Sequence, residues 1–125
     1  MTKNIMVVDD EPDILTSLRV IFEYYGYDVI TVNNGEKCID ELKKGFKGII
    51  LMDIMMPKMD GYEVLRQLRE SVAAKQIPVI FLTAKGQKKD VLKGMELGAN
   101  DYLVKPYIFA DLHGKIKKLI GEKKD

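Results

Sequence analysis

Apolar runs of strand length alternate with segments in which apolar residues return every three or four positions, and the alternation repeats five times. Ile5 to Val8 is the first run. It ends in Asp9-Asp10-Glu11-Pro12-Asp13, after which Ile14, Leu15, Leu18, Phe22 and Tyr25 trace a helical stripe. Pro12 suits the first turn of that helix, the carboxylates around it suit the N-terminal dipole, and Gly26 is placed to close the other end. Val29 to Val32 runs into Asn33-Asn34-Gly35 and a shorter stripe of Ile39, Leu42 and Phe46. Residues 49–53, Ile-Ile-Leu-Met-Asp, lead into a loop marked by Pro57, a turn at Asp60-Gly61 and a periodic segment from Tyr62 to Val72. Val79 to Leu82 ends in Thr83-Ala84-Lys85-Gly86 and feeds a stripe of Val91, Leu92 and Met95 that stops near Gly98. Tyr102-Leu103-Val104 ends in Lys105-Pro106, and Phe109, Leu112, Ile116, Leu119 and Ile120 carry the last helix.

Strands and helices in strict alternation, with short connections, predict an α/β domain. The expected form is an open parallel sheet of five strands, (βα)5, with helices on both faces in three layers. A length of 125 residues suits one domain filling residues 1–125. All strands of a parallel sheet end at the same rim, and ligands of open α/β sheets bind there. Asp9, Asp10, Asp53, Thr83 and Lys105 therefore share one edge although they are far apart in sequence. Neighbouring strands lie about 4.8 Å apart, so these ends can converge on one small ion. The second strand ends only in asparagines and glycine and is expected outside that group.

Composition narrows the picture modestly. Twenty basic and nineteen acidic side chains leave a net charge of +1, so bulk charge argues neither for nor against nucleic acid. Cys38 has no cysteine to pair with and no metal-type spacing around it, which predicts a small apolar filler in a reducing compartment. The apolar run before Asp9 is too short for a signal peptide or a membrane span, so a cytoplasmic protein is expected. The tail from Gly121 to Asp125 is too short for an output module, which would have to lie elsewhere.

Crowded aspartates repel one another and hold protons unless a cation joins them. An all-oxygen donor set favours a hard divalent ion, and few protein ligands beside a phosphoryl group favour Mg²⁺. The other parts match phosphoryl transfer: a carboxylate nucleophile, a lysine to neutralise equatorial oxygens and a threonine hydroxyl to donate a hydrogen bond.

Four segments, in order and each at a strand end, carry a specific likeness: Val7-Val8-Asp9-Asp10-Glu11-Pro12, residues 52–61 from Met52-Asp53 to Asp60-Gly61, Phe81-Leu82-Thr83-Ala84 and Leu103-Val104-Lys105-Pro106. On these the chain resembles, over essentially its whole length, a receiver domain of the two-component response regulators, of the single-domain chemotaxis-regulator type. The resemblance implies a flavodoxin-like sheet of strand order 2-1-3-4-5. It implies a signalling switch rather than an enzyme, accepting a phosphoryl group on Asp53 from a histidine kinase or phosphotransfer protein and assisting its own phosphotransfer and dephosphorylation. Asp10, Asp53 and the backbone carbonyl of Met55 would bind Mg²⁺, with Asp9 acting directly or through water. Lys105 would pair with the phosphoryl group, Thr83 would turn its hydroxyl to it, and Tyr102 would swing inward as Thr83 moves. The Lys105-Pro106 bond would be cis. The surface of the fourth helix, fifth strand and fifth helix would control a downstream protein. Direct nucleic-acid or membrane contact by this domain is not implied, and a monomer or weak dimer is.

Other functions fit less well. An aspartate-nucleophile phosphatase of the haloacid dehalogenase type carries Asp-x-Asp, whereas Met55 stands two beyond Asp53. A flavin phosphate would be repelled by the acidic segment 9–13, and no phosphate-binding Gly-x-x-x-x-Gly-Lys-Ser/Thr loop is present. A receiver-like module that binds partners without phosphorylation is the remaining alternative. Among ordinary readings, Asp60 is a turn residue, His113 a solvated side chain away from the rim, and Lys115, Lys117, Lys118, Lys123 and Lys124 a solvated face.

Overall fold

A computed structural model describes residues 3–121. Five strands, β1 (Asn4–Val8), β2 (Asp28–Val32), β3 (Ile49–Met52), β4 (Val79–Thr83) and β5 (Asp101–Val104), alternate with α1 (Pro12–Tyr24), α2 (Gly35–Lys43), α3 (Gly61–Glu70), α4 (Lys88–Glu96) and α5 (Phe109–Leu119). All pairings are parallel and the strand order is β2-β1-β3-β4-β5. The parallel sheet is that expected from the alternation, and the order is the one that the family resemblance implies.

The central strands are apolar throughout because both of their faces are covered. Successive residues point to opposite sides. Met6, Val8, Ile50, Met52 and Phe81 meet the apolar side chains of α2 and α3, including Val64, Leu65 and Leu68. Ile5, Val7, Ile49, Leu51, Ile80 and Leu82 meet Leu18 and Phe22 of α1 and Leu112 and Ile116 of α5. Cys38 is fully buried in the first of these layers, and burial followed by the nearby Glu41 pushes its thiol up to about 12. It packs as an inert apolar residue, as its isolation predicts.

Pro12 occupies the first turn of α1, and Gly26 follows the C-cap Tyr25 at φ +89°. The Gly26 and Tyr27 amides donate to the Glu23 and Phe22 carbonyls, both at 3.0 Å, closing the helix with a left-handed residue that glycine adopts without strain. Gly45 does the same for α2, so Phe46 lies past the helix and turns back onto the core instead of extending the stripe.

Two further expectations need correcting. The periodicity predicts a helix from Tyr62 to Val72, but α3 stops at Glu70 and Val72 is 88% exposed. The stripe of Val91, Leu92 and Met95 does not face the core either. Leu92 and Met95 are exposed and only Gly94 of α4 is buried. Gly94 stands on the inward face instead, where a Cβ would make a tight 3.2 Å contact with both the Phe81 and Tyr102 rings, so glycine there lets the helix lie close to them.

Arg69 explains where α3 ends. Its guanidinium makes five hydrogen bonds, two to the Gly98 carbonyl and one each to the Lys75 carbonyl, the Ile77 carbonyl and Asn100 Oδ1, at 2.8–3.1 Å. Asn100 Oδ1 also accepts from the Val79 amide at 2.9 Å. One side chain thus ties the α3–β4 and α4–β5 connections together at the end of the sheet opposite the rim. All its acceptors are neutral, and burial pulls its ionisation below the ordinary arginine range. Arg69→Ala is expected to lower stability by about 2–4 kcal/mol, because several carbonyls lose their donor together. Urea unfolding measures it, and Arg69→Lys recovers little, since a point charge cannot reach a fork of acceptors.

Candidate functional site

Main-chain hydrogen bonds carry the sheet ladder one residue beyond the strands. The Asp9 amide donates to Val32 O at 3.2 Å, Asp53 to Val8 O at 3.0 Å, and Lys105 to Thr83 O at 2.9 Å. Each side chain therefore leaves the rim from a fixed backbone position. The buried side chains that bear a charge or an aliphatic hydroxyl, among the described residues, are Asp9, Asp53 and Thr83, and all stand here.

The two buried carboxylates are held alike. One oxygen of each accepts from the backbone N–H two residues on: Asp9 Oδ1 from Glu11 at 2.9 Å, Asp53 Oδ1 from Met55 at 3.1 Å. The other oxygen faces the Lys105 ammonium, 3.2 Å away for Asp9 Oδ2 and 3.3 Å for Asp53 Oδ2. These local turns are a recurrent use of aspartate, and they fix both rotamers before any ligand arrives. Asp10 is exposed, yet ligand oxygens of Asp9, Asp10 and Asp53 all lie within 4.8 Å of one another. Two of these three carboxylates share the one ammonium.

Burial raises the Asp9 carboxyl above its ordinary value near 3.8, against the opposing Glu11 hydrogen bond and the Lys105 charge, with Asp53 adding to the rise. Burial alone pulls the Lys105 ammonium down, but Asp9 and Asp53 together hold it above 10.5. Thr83 is fully buried, and its hydroxyl oxygen accepts from the Lys85 amide at 3.3 Å. The Tyr102 hydroxyl donates to the Lys85 carbonyl at 2.6 Å. The Met55 side chain is 55% exposed at the mouth of the site, and Lys85 reaches Asp90 at 3.9 Å. The Lys105-Pro106 peptide is cis.

The structure brings Asp9, Asp10, Asp53 and Lys105 together and places Thr83 and Tyr102 on the adjoining segment; β2 is the edge strand beside β1, and its end adds no carboxylate to this cluster. Asp60 is more than a turn residue: it is the N-cap of α3 and accepts from the Glu63 amide at 2.9 Å. Gly61 is a site residue that the turn reading undersold. A Cβ there would meet the Asp53 carbonyl oxygen at 2.5 Å, so glycine lets α3 begin against the backbone of the central aspartate. His113 is half-buried and not a free solvated side chain. It hydrogen-bonds the Tyr27 hydroxyl at 2.9 Å and packs among Phe22, Tyr25 and Phe109. Lys115 pairs with Asp101 at 3.0 Å instead of joining a solvated face; Lys123 and Lys124 lie outside the described residues.

Comparison with known proteins decides the family. The family model for the response regulator receiver domain matches residues 5–117. The chain belongs to that family. It is 40% identical over 120 residues to the alkaline phosphatase synthesis transcriptional regulatory protein PhoP of Bacillus subtilis, covering 96% of this chain and 49% of that protein. The chain spans about half the length of the curated relatives it matches. A CheY-like receiver domain from Methanospirillum hungatei is 35% identical with a TM-score of 0.82, and 94% of each chain is covered. The receiver domain of the sensor histidine kinase PA1611 from Pseudomonas aeruginosa is 30% identical with a TM-score of 0.87, covering 97% of this chain and 99% of that one. It was solved with magnesium coordinated in its active-site cleft. This receiver is thus of the kind that serves phosphorylation-dependent signalling in two-component systems. No described helix is long and apolar enough to cross a membrane.

The raised Asp9 carboxyl has a measurable consequence. The unfolded chain releases that proton near pH 3.8 and the folded chain only at higher pH, so between the two values rising pH removes stability. Asp9→Asn lacks this penalty. It is expected to be more stable than the wild type at pH 7, by about 0.5–2 kcal/mol, the usual gain on removing a functional liability. The gap closes as the pH falls below 3.8, which thermal unfolding as a function of pH tests directly.

Proposed function

We propose that Asp53 is the phosphoacceptor of this receiver and that residues 1–125 act as one switch unit. The observation that carries the reading is the sharing of the Lys105 ammonium between Asp53 and Asp9, with Asp10 alongside. In the transfer, a carboxylate oxygen of Asp53 forms a bond to phosphorus as the bond from phosphorus to the donor's imidazole nitrogen breaks, giving an acyl phosphate and a free histidine. Lys105, freed from sharing two carboxylates, turns to the phosphoryl oxygens. The Thr83 hydroxyl gives up its contact with the Lys85 amide and donates to them, and Tyr102 follows Thr83 inward.

The donor set fits a hard divalent cation, since it is all oxygen and carries more negative charge than Lys105 balances. Asp10, Asp53 and the Met55 carbonyl would hold Mg²⁺, with Asp9 acting directly or through water. Bound there, it supplies charge neutralisation to the transferring phosphoryl group.

The donor partner is a histidine kinase or phosphotransfer protein. The phosphorylated surface of α4, β5 and α5 engages a downstream protein, without direct nucleic-acid or membrane contact by this domain. The setting is cytoplasmic and the state monomeric or weakly dimeric. The domain speeds its own phosphorylation and dephosphorylation but turns over no separate substrate.

Incubation with Mg²⁺ and a small-molecule phosphodonor is expected to add one phosphoryl unit, read by intact mass spectrometry, and Asp53→Asn abolishes it. Labelling that survives that substitution, or none in the wild type, removes the assignment and leaves a module that binds without phosphorylation. Mg²⁺ alone, at a hundredfold excess over its Kd, raises wild-type stability by about 2.7 kcal/mol, and the gain falls away in Asp10→Asn.

Exposed, apolar Met55 and basic Lys85 flank the route of an attacking water and offer it no orienting acceptor. The acyl phosphate is therefore expected to outlast that of a Met55→Asn, Lys85→Ala variant by roughly 10-fold, about 1.4 kcal/mol in barrier. Equal decay rates after phosphodonor removal would refute this.

A further inference from the structure

The switch segment is fastened from a direction that the phosphoacceptor reading does not use. Tyr62, in the first turn of α3, is 7% exposed, and its hydroxyl donates to the Asp90 carbonyl in the first turn of α4 at 3.0 Å. Its ring stands edge-on to Phe81 at 5.8 Å, and Phe81 stands edge-on to Tyr102 at 5.9 Å. The Lys93 ammonium lies 4.4 Å from the Tyr62 ring centroid. Two phenols thus hold successive parts of one segment, Tyr102 at Lys85 and Tyr62 at Asp90.

The segment needs such holding, for α4 buries no large apolar side chain of its own. It is fixed at its far end by the Arg69 bonds to Gly98. At its near end, beside Thr83, it has the two phenols and the capping contacts of Gln87 and Asp90.

We propose that Tyr62 is a positioning residue of the switch. Its hydrogen bond to Asp90 belongs to the resting arrangement and opposes movement of the 84–90 segment toward a phosphoryl group on Asp53, so it sets how readily that group is accepted. The proposal rests on the phosphoacceptor reading of Asp53. The Tyr62 ring packs on Phe81, which in turn meets Tyr102, while the hydroxyl holds α4 and interacts with the Tyr102 hydroxyl, so packing and hydrogen bonding by this side chain are separable. Tyr62→Phe keeps the ring, its packing on Phe81 and the face offered to Lys93, and deletes only the hydroxyl.

The test uses the full chain with Mg²⁺ and beryllofluoride, a phosphoryl mimic, and reads amide hydrogen exchange and half-saturation. Without beryllofluoride, Tyr62→Phe is expected to exchange the amides of 84–93 several-fold faster, with α1, α5 and the central strands unchanged. Its half-saturating beryllofluoride concentration is expected to fall roughly 2- to 10-fold, the worth of one hydrogen bond expressed as a population ratio. A structural role alone would speed exchange and leave half-saturation where it was; that result overturns the proposal. So does unchanged exchange in the variant. Absence of any beryllofluoride response in the wild-type chain sinks the phosphoacceptor reading itself, and this inference with it. A wild-type response with unaltered half-saturation in Tyr62→Phe removes only the role of Tyr62.

Discussion

The ammonium of Lys105, shared by two buried carboxylates, is the interaction on which the rest of the molecule depends. Its partners are distant along the chain: Asp9 is 96 positions away and Asp53 is 52. A buried carboxylate without a partner is costly, so the folded rim exists only if all three strand ends arrive together. One lysine cannot balance three aspartates, however. Burial is the chief cause of the raised Asp9 carboxyl, with Asp53 adding to it, and the surplus of carboxylates is an all-oxygen donor set of the kind that suits a divalent cation. Stability is given up at the place where the chemistry needs uncompensated charge.

The fold supplies rigidity on one side of this site and freedom on the other. β1, β3 and β4 are buried on both faces, and the sheet ladder runs on through the amides of Asp9, Asp53 and Lys105. The carboxylates have little room to move, since each is also tied to an amide two residues on. Gly61 brings α3 against the Asp53 backbone and Asp60 caps that helix, so the far wall of the site is fixed as well. Thr83 belongs to both sides: its backbone is in β4, while its hydroxyl touches the loop that leads to α4.

Most of the rim was legible in the sequence because it follows from two periodicities and one topological rule. Unbroken apolar runs marked strands covered on both faces, alternation with helices made the sheet parallel, and parallel strands end on one edge. Asp9, Asp10, Asp53, Thr83 and Lys105 needed nothing more to be grouped. The order of the strands did need the family likeness, since alternation alone does not say which neighbours pair. What could not be read depended on a rotation or a long-range partner. Val91, Leu92 and Met95 make a stripe by spacing, but Gly94 stands on the inward face, packed closely against Phe81 and Tyr102. Arg69, Tyr62 and His113 each act on segments 28 to 86 residues away, and nothing local to them marks those partners.

The rotation of α4 bears directly on how a small charge change can move a helix. Phosphorylation inverts a resting population of 1:99 only if it favours the other state by about 5.5 kcal/mol. Fully burying a leucine or methionine is worth about 1.5–3 kcal/mol. Had α4 turned Leu92 and Met95 into the core, dislodging both would cost about 3–6 kcal/mol on that scale, which is the whole of the available signal. With those two side chains in solvent and Gly94 inward, the helix is held instead by a few hydrogen bonds and ring contacts, each worth about 0.5–1.5 kcal/mol. A stripe that spacing alone assigns to the core is kept out of it, and that exposure leaves the helix lightly held.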